Sequence, residues 1–410
     1  MIPKKSFKDN WMGKILVIAL VVTLSLLAFQ LDFGREIAGR AGASSVSTPS
    51  AGSTRWGLEK VKAKNAWKIT QGSDEVIVAV IDSGIDKDVP ALKDRMWKND
   101  DEIAGDGVDN DNNGYVDDVS GWDFREMDQL KSTGNSFHYH GTFVSGLVSS
   151  SYDSKTGSGG VAPQVSIMDV RFLDNAGRFY TSDWGKLADA INYAVENGAD
   201  IINMSIYASV TPPETVHRAL EKAESEGVLV VGIAGNSGKR VGYFGRWSEV
   251  FTVGSVNKHD KVSNFSNYGP EVEVVAPGAE VLSYRPGGNL ATGSGTSFAA
   301  PHVAGTAALI LSKNPELGLT ELKRTLRKSA SDIGRSGKDQ SAGYGIINTE
   351  RSLSNTASIE SETIQETVEE NREKGKVSKG KVKAEENKKT PKLINFKTVR
   401  GRTFRTSVDI

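Results

Sequence analysis

Short runs of apolar, largely β-branched residues alternate along the middle of this chain with longer segments of helical periodicity. Continuous apolar runs are typical of strands that are covered on both faces, and strands that alternate with helices favour parallel pairing. The predicted strands are residues 76–81, 165–170, 201–204, 228–233 and 250–253, and the predicted helices are residues 184–197 and 214–226. The pattern predicts an α/β fold with a doubly wound, mostly parallel sheet and helices on both faces.

The N-terminus has the pattern of an export signal. Lysines precede an uncharged apolar run at residues 15–31, which is the order of a signal peptide. The length of the run is intermediate between a signal core and a membrane span, so residues 1–31 are either a cleaved signal peptide or a retained membrane anchor. In both cases we expect export, with the protein either secreted or held at the membrane by this segment. The small residues 41–43 fit a signal-cleavage rule but lie far beyond the apolar run.

Composition divides the rest of the chain into three parts. Residues 32–55 are rich in Gly, Ala, Ser and Thr, which predicts a flexible linker. Residues 56–353 have the composition of a globular domain. Residues 354–410 begin acidic and become lysine-rich, with few large apolar residues, which predicts a disordered tail. Its lysines leave open a contact with an anionic surface.

Two features of the composition exclude whole classes of function. The chain has no cysteine, which excludes disulfides, thiolate metal sites and a cysteine nucleophile. The formal net charge is -1, so no global field attracts a polyanion, and we expect no nucleic-acid partner.

A serine within a small-residue segment is the first candidate for chemistry. Residues 293–305 combine glycines with Ser297, followed by Pro301 and further small residues. Proline is tolerated near the start of a helix, which places the helix start near Ser297. Free N–H groups and the dipole at a helix start favour developing negative charge. The alternative is that Ser297 only caps a helix.

A serine nucleophile needs a base, and the base needs a carboxylate that orients it. His140 opens a small-residue segment that resembles a helix start, while His138 and His302 are rivals that spacing alone does not exclude. Asp82 follows the predicted strand 76–81, and ligands of parallel sheets gather at the carboxyl ends of strands.

Three segments resemble the signatures of the subtilisin-like serine proteases. They read Val-Ala-Val-Ile-Asp-Ser-Gly-Ile around Asp82, His-Gly-Thr-Phe-Val-Ser-Gly from His140, and Gly-Thr-Ser-Phe-Ala-Ala-Pro-His-Val-Ala-Gly around Ser297. They occur in the family's Asp, His, Ser order, and the resemblance extends over residues 56–348.

The resemblance implies a serine endopeptidase that acts on peptides or proteins through an acyl-enzyme. It implies that Asp82 orients His140, that His140 takes the proton of Ser297, and that Asn236 donates a hydrogen bond to the oxyanion. Two alternatives remain: an inactive cell-surface protein that binds peptides, and a serine esterase.

The chain departs from the family pattern at the expected substrate-binding residues. Ser205, Ile206 and Tyr207 stand where the family has Ser-Leu-Gly, and Gly235 precedes Asn236 at the expected cleft. We expect Tyr207 to narrow or reshape the cleft. Phe143 stands where the family pattern has a second histidine, and we expect this difference to change packing rather than catalysis. About 25 residues separate the apolar run from the globular start, fewer than the folded inhibitory prodomain of many relatives.

An acidic segment at residues 106–118 predicts a calcium site. Asp109, Asp111 and Asn113 alternate before a glycine, and Asp117 follows, as in part of a calcium-binding loop. Ser120 stands where such a loop has its bidentate glutamate. Clustered carboxylates repel each other unless a cation is present, and the alternative is a solvated acidic turn.

Overall fold

The computed structural model describes residues 36–42, 45–49, 56–130 and 137–354. The strands are β1 (Ile37–Ala41), β2 (Ser45–Ser47), β3 (Ile77–Asp82), β4 (Gly121–Asp123), β5 (Asp128–Gln129), β6 (Ser166–Arg171), β7 (Arg178–Tyr180), β8 (Ile201–Met204), β9 (Ile206–Ala208), β10 (Leu229–Ile233), β11 (Val250–Val256), β12 (Val272–Pro277), β13 (Val281–Tyr284) and β14 (Leu290–Ser294). The α-helices are α1 (Trp56–Lys60), α2 (Ala63–Ala66), α3 (His140–Val148), α4 (Trp184–Glu196), α5 (Glu214–Ser225), α6 (Thr296–Lys313) and α7 (Leu319–Ser329).

A central sheet of eight strands confirms the predicted α/β fold. Its strand order is β12-β11-β10-β8-β3-β6-β4-β5. Neighbouring strands pair in parallel, except for the antiparallel pair of β4 and β5 at one edge. All five strands and both helices predicted from the apolar pattern are present, with ends that differ by at most three residues.

Alternate side chains of the central strands enter two separate cores. In β3, Val78 and Val80 belong to the apolar cluster that includes α3 and α6. Ala79 and Ile81 belong to the cluster that includes α4 and α5. A strand that is covered on both faces has no polar face, which is why these strands are continuous apolar runs in the sequence.

Helix α6 packs against the middle of the sheet, where it contacts β8, β10, β11 and β12. Its small residues are buried, and a Cβ atom at Gly305 would lie 2.8 Å from Val161 Cβ. The helix begins at Thr296, close to the start predicted from Pro301. Close packing of α6 therefore holds Ser297 at the carboxyl edge of the sheet.

The described part of the predicted linker is not a free linker. β1 is the middle strand of a second sheet with order β7-β1-β9, and β2 pairs antiparallel with β14 in a third sheet. The prediction of a linker was wrong for these residues. Composition indicates only how flexible a segment is by itself, whereas the pairing of β1 with β7 and β9, and of β2 with β14, depends on residues far away in the chain.

None of the helices in the described ranges is long and apolar enough to cross a membrane. The apolar run at residues 15–31 and the tail after residue 354 lie outside the described residues.

The buried Asp169 predicts a measurable dependence of stability on pH. Asp169 Oδ2 accepts a hydrogen bond from the backbone N–H of Ile85 at 3.1 Å, and Oδ1 has no hydrogen-bond partner among the residues with described positions. Burial raises the pKa of Asp169 from 3.8 to about 7. Between these values the folded state keeps a proton that the unfolded state has lost, so this group lowers stability as pH rises.

We expect Asp169→Asn to raise the free energy of unfolding at pH 8 by up to roughly 4 kcal/mol, since the amide carries no charge. The gain should shrink toward zero at pH 4. Urea unfolding at pH 4, 6 and 8 measures it, with the exposed Asp94→Asn as control. A difference from the wild type that does not vary with pH would contradict this prediction.

Candidate active site

Asp82 and His140 meet at the carboxyl edge of the central sheet. Asp82 is the last residue of β3, and His140 is the first residue of α3. His140 Nδ1 lies 2.8 Å from Asp82 Oδ2 and 2.9 Å from Oδ1, and both side chains are buried. A carboxylate accepts hydrogen bonds, so Nδ1 of a neutral His140 carries the proton and Nε2 carries the lone pair.

The loop after β3 fixes the positions of Asp82 and His140 relative to each other. The backbone N–H of Ser83 donates to Asp82 Oδ1 at 2.7 Å, and the Ser83 hydroxyl accepts the N–H of Gly141 at 3.0 Å. A Cβ atom at position 141 would collide with the backbone oxygen of Gly84. Glycine after His140 therefore allows α3 to approach the loop that carries Asp82.

Ser297 lies in the first turn of α6 and is fully buried. Its Oγ donates a hydrogen bond to the backbone oxygen of Ser205 at 3.0 Å. Within the described part of the chain, His140 Nε2 is buried and has no hydrogen-bond partner. The structure thus contains the hydrogen bond between Asp82 and His140, while the hydroxyl of Ser297 is bonded to Ser205 rather than to His140.

The side-chain amide of Asn236 has a defined orientation. Asn236 Oδ1 accepts hydrogen bonds from Thr296 N at 2.8 Å and from Thr296 Oγ1 at 2.9 Å. Both of these donors require the oxygen on the side facing Thr296, so Nδ2 is directed the other way. Nδ2 donates to the backbone oxygen of Gly42, and its position next to α6 brings a donor to the helix start that carries Ser297.

The surroundings of the other two histidines differ from those of His140. His302 is buried, its Nδ1 donates to the backbone oxygen of Phe298 at 2.8 Å, and burial lowers its pKa to about 4. The ring of His138 lies 6.3 Å from the ring of His140, and burial lowers the pKa of His138, with the nearby His140 adding to the effect. Of these three histidines, His140 is the one that makes a hydrogen bond with Asp82.

Ser205 and the strand that follows it form an edge beside Ser297. The backbone oxygen of Ser205 accepts from Ser297 Oγ, and its hydroxyl donates to the backbone oxygen of Ser297 at 2.9 Å. Ile206 and Tyr207 then pair, in β9, with Ala41 and Arg40 of β1. The three residues expected at a substrate edge therefore do face an extended peptide segment, which comes from the chain itself.

A comparison with protein-family models matches residues 73–345 to the Subtilase family. The match covers about two thirds of the chain, including Asp82, His140 and Ser297. This chain belongs to the subtilase family. Its sheet of eight strands agrees with the α/β fold of that family.

Curated relatives agree with this assignment. The chain is 35% identical over 296 residues to a thermophilic serine proteinase of Bacillus sp. (strain AK1), covering 72% of this chain and 66% of the relative. It is 32% identical over 290 residues to thermitase of Thermoactinomyces vulgaris, covering 70% of this chain and 92% of thermitase. It is 33% identical over 295 residues to the minor extracellular protease Epr of Bacillus subtilis (strain 168), covering 72% of this chain and 41% of Epr.

The side chain of Tyr207 packs beside the glycine that precedes Asn236. A Cβ atom at Gly235 would lie 3.1 Å from Tyr207 Cε2, and one at Gly242 would lie 2.7 Å from the same atom. Gly235 has a φ of 108°, a conformation that favours glycine. The ring therefore occupies space between two glycine backbones in this subtilase.

The acidic loop brings together a set of carboxylates that differs from the predicted one. One ligand oxygen each from Glu102, Asp109 and Asp111 lies within 4.8 Å of the others. Asp117 is not in that group. Its oxygens accept the N–H groups of Gly105 at 2.6 Å and Gly107 at 3.1 Å.

Asn113 is oriented toward its own loop. Its Oδ1 accepts the N–H of Tyr115 at 2.8 Å, and its Nδ2 donates to Asp111 Oδ2 at 3.0 Å and to Asp118 Oδ2 at 3.1 Å. Glu102 precedes the acidic run and lies outside its alternating pattern, so the pattern did not predict it. An acidic side chain just before such a loop was the available signal.

Proposed function

We propose that this subtilase is a serine endopeptidase that hydrolyses peptide bonds through an acyl-enzyme on Ser297. The observation that carries the proposal is the buried bond between His140 Nδ1 and Asp82, which leaves the lone pair of Nε2 available. A histidine held in this tautomer is what a serine nucleophile requires as a general base. Family membership and the serine-protease relatives support the same chemistry.

In the proposed reaction, Ser297 exchanges its hydrogen bond with Ser205 for one with His140 Nε2. Catalytic hydrogen bonds often form fully only when the substrate is bound. Ser297 Oγ then attacks the scissile carbonyl, and its proton passes to Nε2, which later protonates the leaving amine. Asp82 stabilises the imidazolium that forms in between.

Asn236 is the proposed donor to the oxyanion. The hydrogen bonds from Thr296 preorganise its amide, so no reorganisation is needed as charge develops. We propose Ser205, Ile206 and Tyr207 as the substrate edge, since their strand already pairs with an extended segment, and Gly235 as part of the adjoining wall.

We expect Asn236→Ala to lower kcat by about 10²–10³ with a much smaller change in KM, because the lost bond is made chiefly in the transition state. Steady-state cleavage of a fluorogenic peptide measures this. Asn257→Ala, which removes a side chain from a surface turn, is the control. An equal loss of activity in the two variants would contradict the proposed role.

Covalent labelling tests the proposed function directly. A fluorophosphonate should modify Ser297, as located by peptide mass spectrometry, and the label should be absent in Ser297→Ala. Ser341→Ala removes an exposed serine and should still be labelled. A folded protein that hydrolyses neither ester nor peptide and takes no label would favour the peptide-binding alternative. Turnover of esters but not peptides would favour the esterase.

We also propose a structural calcium ion at the acidic loop. Glu102, Asp109 and Asp111 offer the hard oxygen ligands that calcium prefers, with three negative charges held close together. Glu102 takes the place that the sequence pattern predicted for Asp117. Asn113 would support the site through its hydrogen bond to Asp111. The ion would stabilise the loop between β3 and α3 that separates Asp82 from His140.

Removal of calcium should lower the melting temperature. Saturation of a site at about 100 times Kd contributes about 2.7 kcal/mol, which corresponds to a shift of roughly 4 °C for a domain of about 300 residues. We expect EDTA to produce that shift and calcium to reverse it. Asp111→Ala should abolish the response, while Asp117→Asn should keep it. A melting temperature that is unchanged by EDTA would contradict the proposal.

We propose that residues 56–353 form the catalytic domain. We also propose that the protein is exported from the cytoplasm. The lysines and apolar run of the N-terminus support export, and one similar protein, Epr, is named extracellular. We retain a charged, disordered tail at residues 354–410 as a proposal from its composition. Mass spectrometry of both ends of the protein isolated from its host would test these boundaries.

A further inference from the structure

A histidine and two glutamates outside the candidate active site form a group of three side chains that can bind a metal. His217 and Glu221 lie on α5, and Glu249 immediately precedes β11. One ligand atom from each side chain lies within 4.8 Å of the other two. Residues four apart on a helix lie on the same side, so α5 presents the imidazole and the Glu221 carboxylate together. Glu249 reaches them from a different part of the chain.

The spacing of His217 and Glu249 fits a shared metal ion better than a hydrogen bond. Nε2 of His217 lies 3.4 Å from Oε2 of Glu249, whereas hydrogen bonds from N–H to oxygen usually span about 2.7–3.2 Å. Two ligand atoms that each lie about 2.0–2.1 Å from a tetrahedral ion are about 3.4 Å apart. These two atoms therefore already have the separation that a common ion requires.

The imidazole of His217 is held in place by an aromatic ring. Trp247 stacks on it, with ring centroids 4.7 Å apart and 7° between the planes. Trp247 itself packs against the apolar cluster that includes α4 and α5, and close packing of this kind restricts the movement of both rings. Ligands that are oriented before the ion arrives lose little conformational entropy when it binds.

The charges around the group favour a cation. Among the lysines and arginines with described positions, none forms an ion pair with Glu221 or Glu249, and the nearby Lys222 and Lys323 pair with other glutamates. Two carboxylates held this close together repel each other, and a divalent cation would offset both charges. Glu221 is exposed, so a remaining coordination position would face water.

We propose that His217, Glu221 and Glu249 bind a divalent transition metal of the zinc class, with water completing a four-coordinate shell. An imidazole nitrogen is a preferred ligand of zinc, whereas calcium and magnesium prefer oxygen ligands alone. The ion would be structural, because it would tie α5 to the beginning of β11. Helix α5 covers the face of the sheet opposite to α6, so the site is separate from Ser297 and does not depend on the proposed function.

Zinc binding by the full-length protein tests the site. The Ser297→Ala background is used so that proteolysis does not interfere, and saturating calcium is present throughout. Isothermal titration should give one zinc ion per chain, and zinc at about 100 times Kd should raise the melting temperature by roughly 4 °C. His217→Gln should abolish both signals, and the exposed Glu221→Ala should weaken binding. His259→Gln removes an exposed histidine and should leave both signals unchanged.

Absence of zinc binding in the Ser297→Ala protein would overturn the proposal, and so would equal binding in His217→Gln. The two proposed metal sites should also respond separately. Asp111→Ala should lose the calcium response and keep the zinc response, while His217→Gln should show the reverse. Loss of the zinc response in Asp111→Ala would place zinc in the acidic loop and overturn the proposal.

Copper(II) in place of zinc identifies the ligands directly. This ion binds nitrogen and oxygen sites more tightly than zinc, and its electron paramagnetic resonance spectrum reports bound nitrogen. We expect hyperfine coupling to one imidazole nitrogen, present in His259→Gln and absent in His217→Gln. Coupling that persists in His217→Gln would assign the ion to another histidine and contradict the site.

Discussion

Ser297→Ala should lower kcat for peptide hydrolysis by about 10⁶, the loss found when the nucleophile of a subtilisin is removed. The substitution removes only the hydroxyl group, whose oxygen is the atom proposed to form the acyl-enzyme. Binding through β9 and the amide of Asn236 would remain, so KM should change little. Cleavage of a fluorogenic peptide, followed for hours at high enzyme concentration, measures so large a loss.

Stability provides the control for this variant. The hydroxyl donates one hydrogen bond, to Ser205, and a single such bond contributes about 1 kcal/mol. We therefore expect a folded protein with a small shift in melting temperature. Retention of more than about one per cent of wild-type kcat would exclude Ser297 as the nucleophile.

Asp82→Asn should lower kcat by about 10⁴, because His140 would then adopt the tautomer that carries its proton on Nε2. The N–H of Ser83 would still bond to the side-chain oxygen at position 82, which turns the introduced NH₂ group toward His140 Nδ1. Nδ1 would then accept a hydrogen bond, and the ring proton would move to Nε2. A protonated Nε2 cannot take the proton of Ser297.

Asp86→Asn is the matched control for this variant. Asp86 is also buried, but its carboxylate accepts the N–H groups of Asp88 and Gly287 rather than a bond from His140. We expect it to change kcat less than about tenfold. NMR of the histidine ring nitrogens in both variants would report the tautomer of His140, and an unchanged tautomer in Asp82→Asn would contradict the explanation.

The strand pattern shows how much of the fold could be predicted. The apolar pattern is a local property of the sequence. Strands such as β3 are continuous apolar runs because each of their side chains is buried on one of the two faces of the sheet. The position of Ser297 at a helix start was predictable for the same reason, since Pro301 and the glycines restrict the backbone locally. Spacing did not decide between His140 and His138, because they lie close together in sequence. The family resemblance favoured His140, and in the structure it is the ring of His140 that bonds to Asp82.

The sequence by itself therefore determined the α/β fold, the family resemblance and the residues proposed for the reaction. The tertiary structure alone decided three further points: Glu102 rather than Asp117 joins the carboxylate group, Thr296 sets the amide of Asn236, and β1 lies between β7 and β9. Each depends on contacts between residues far apart in the chain or on the direction of a side chain. Neither property leaves a local pattern, because the partners are brought together only when the chain folds.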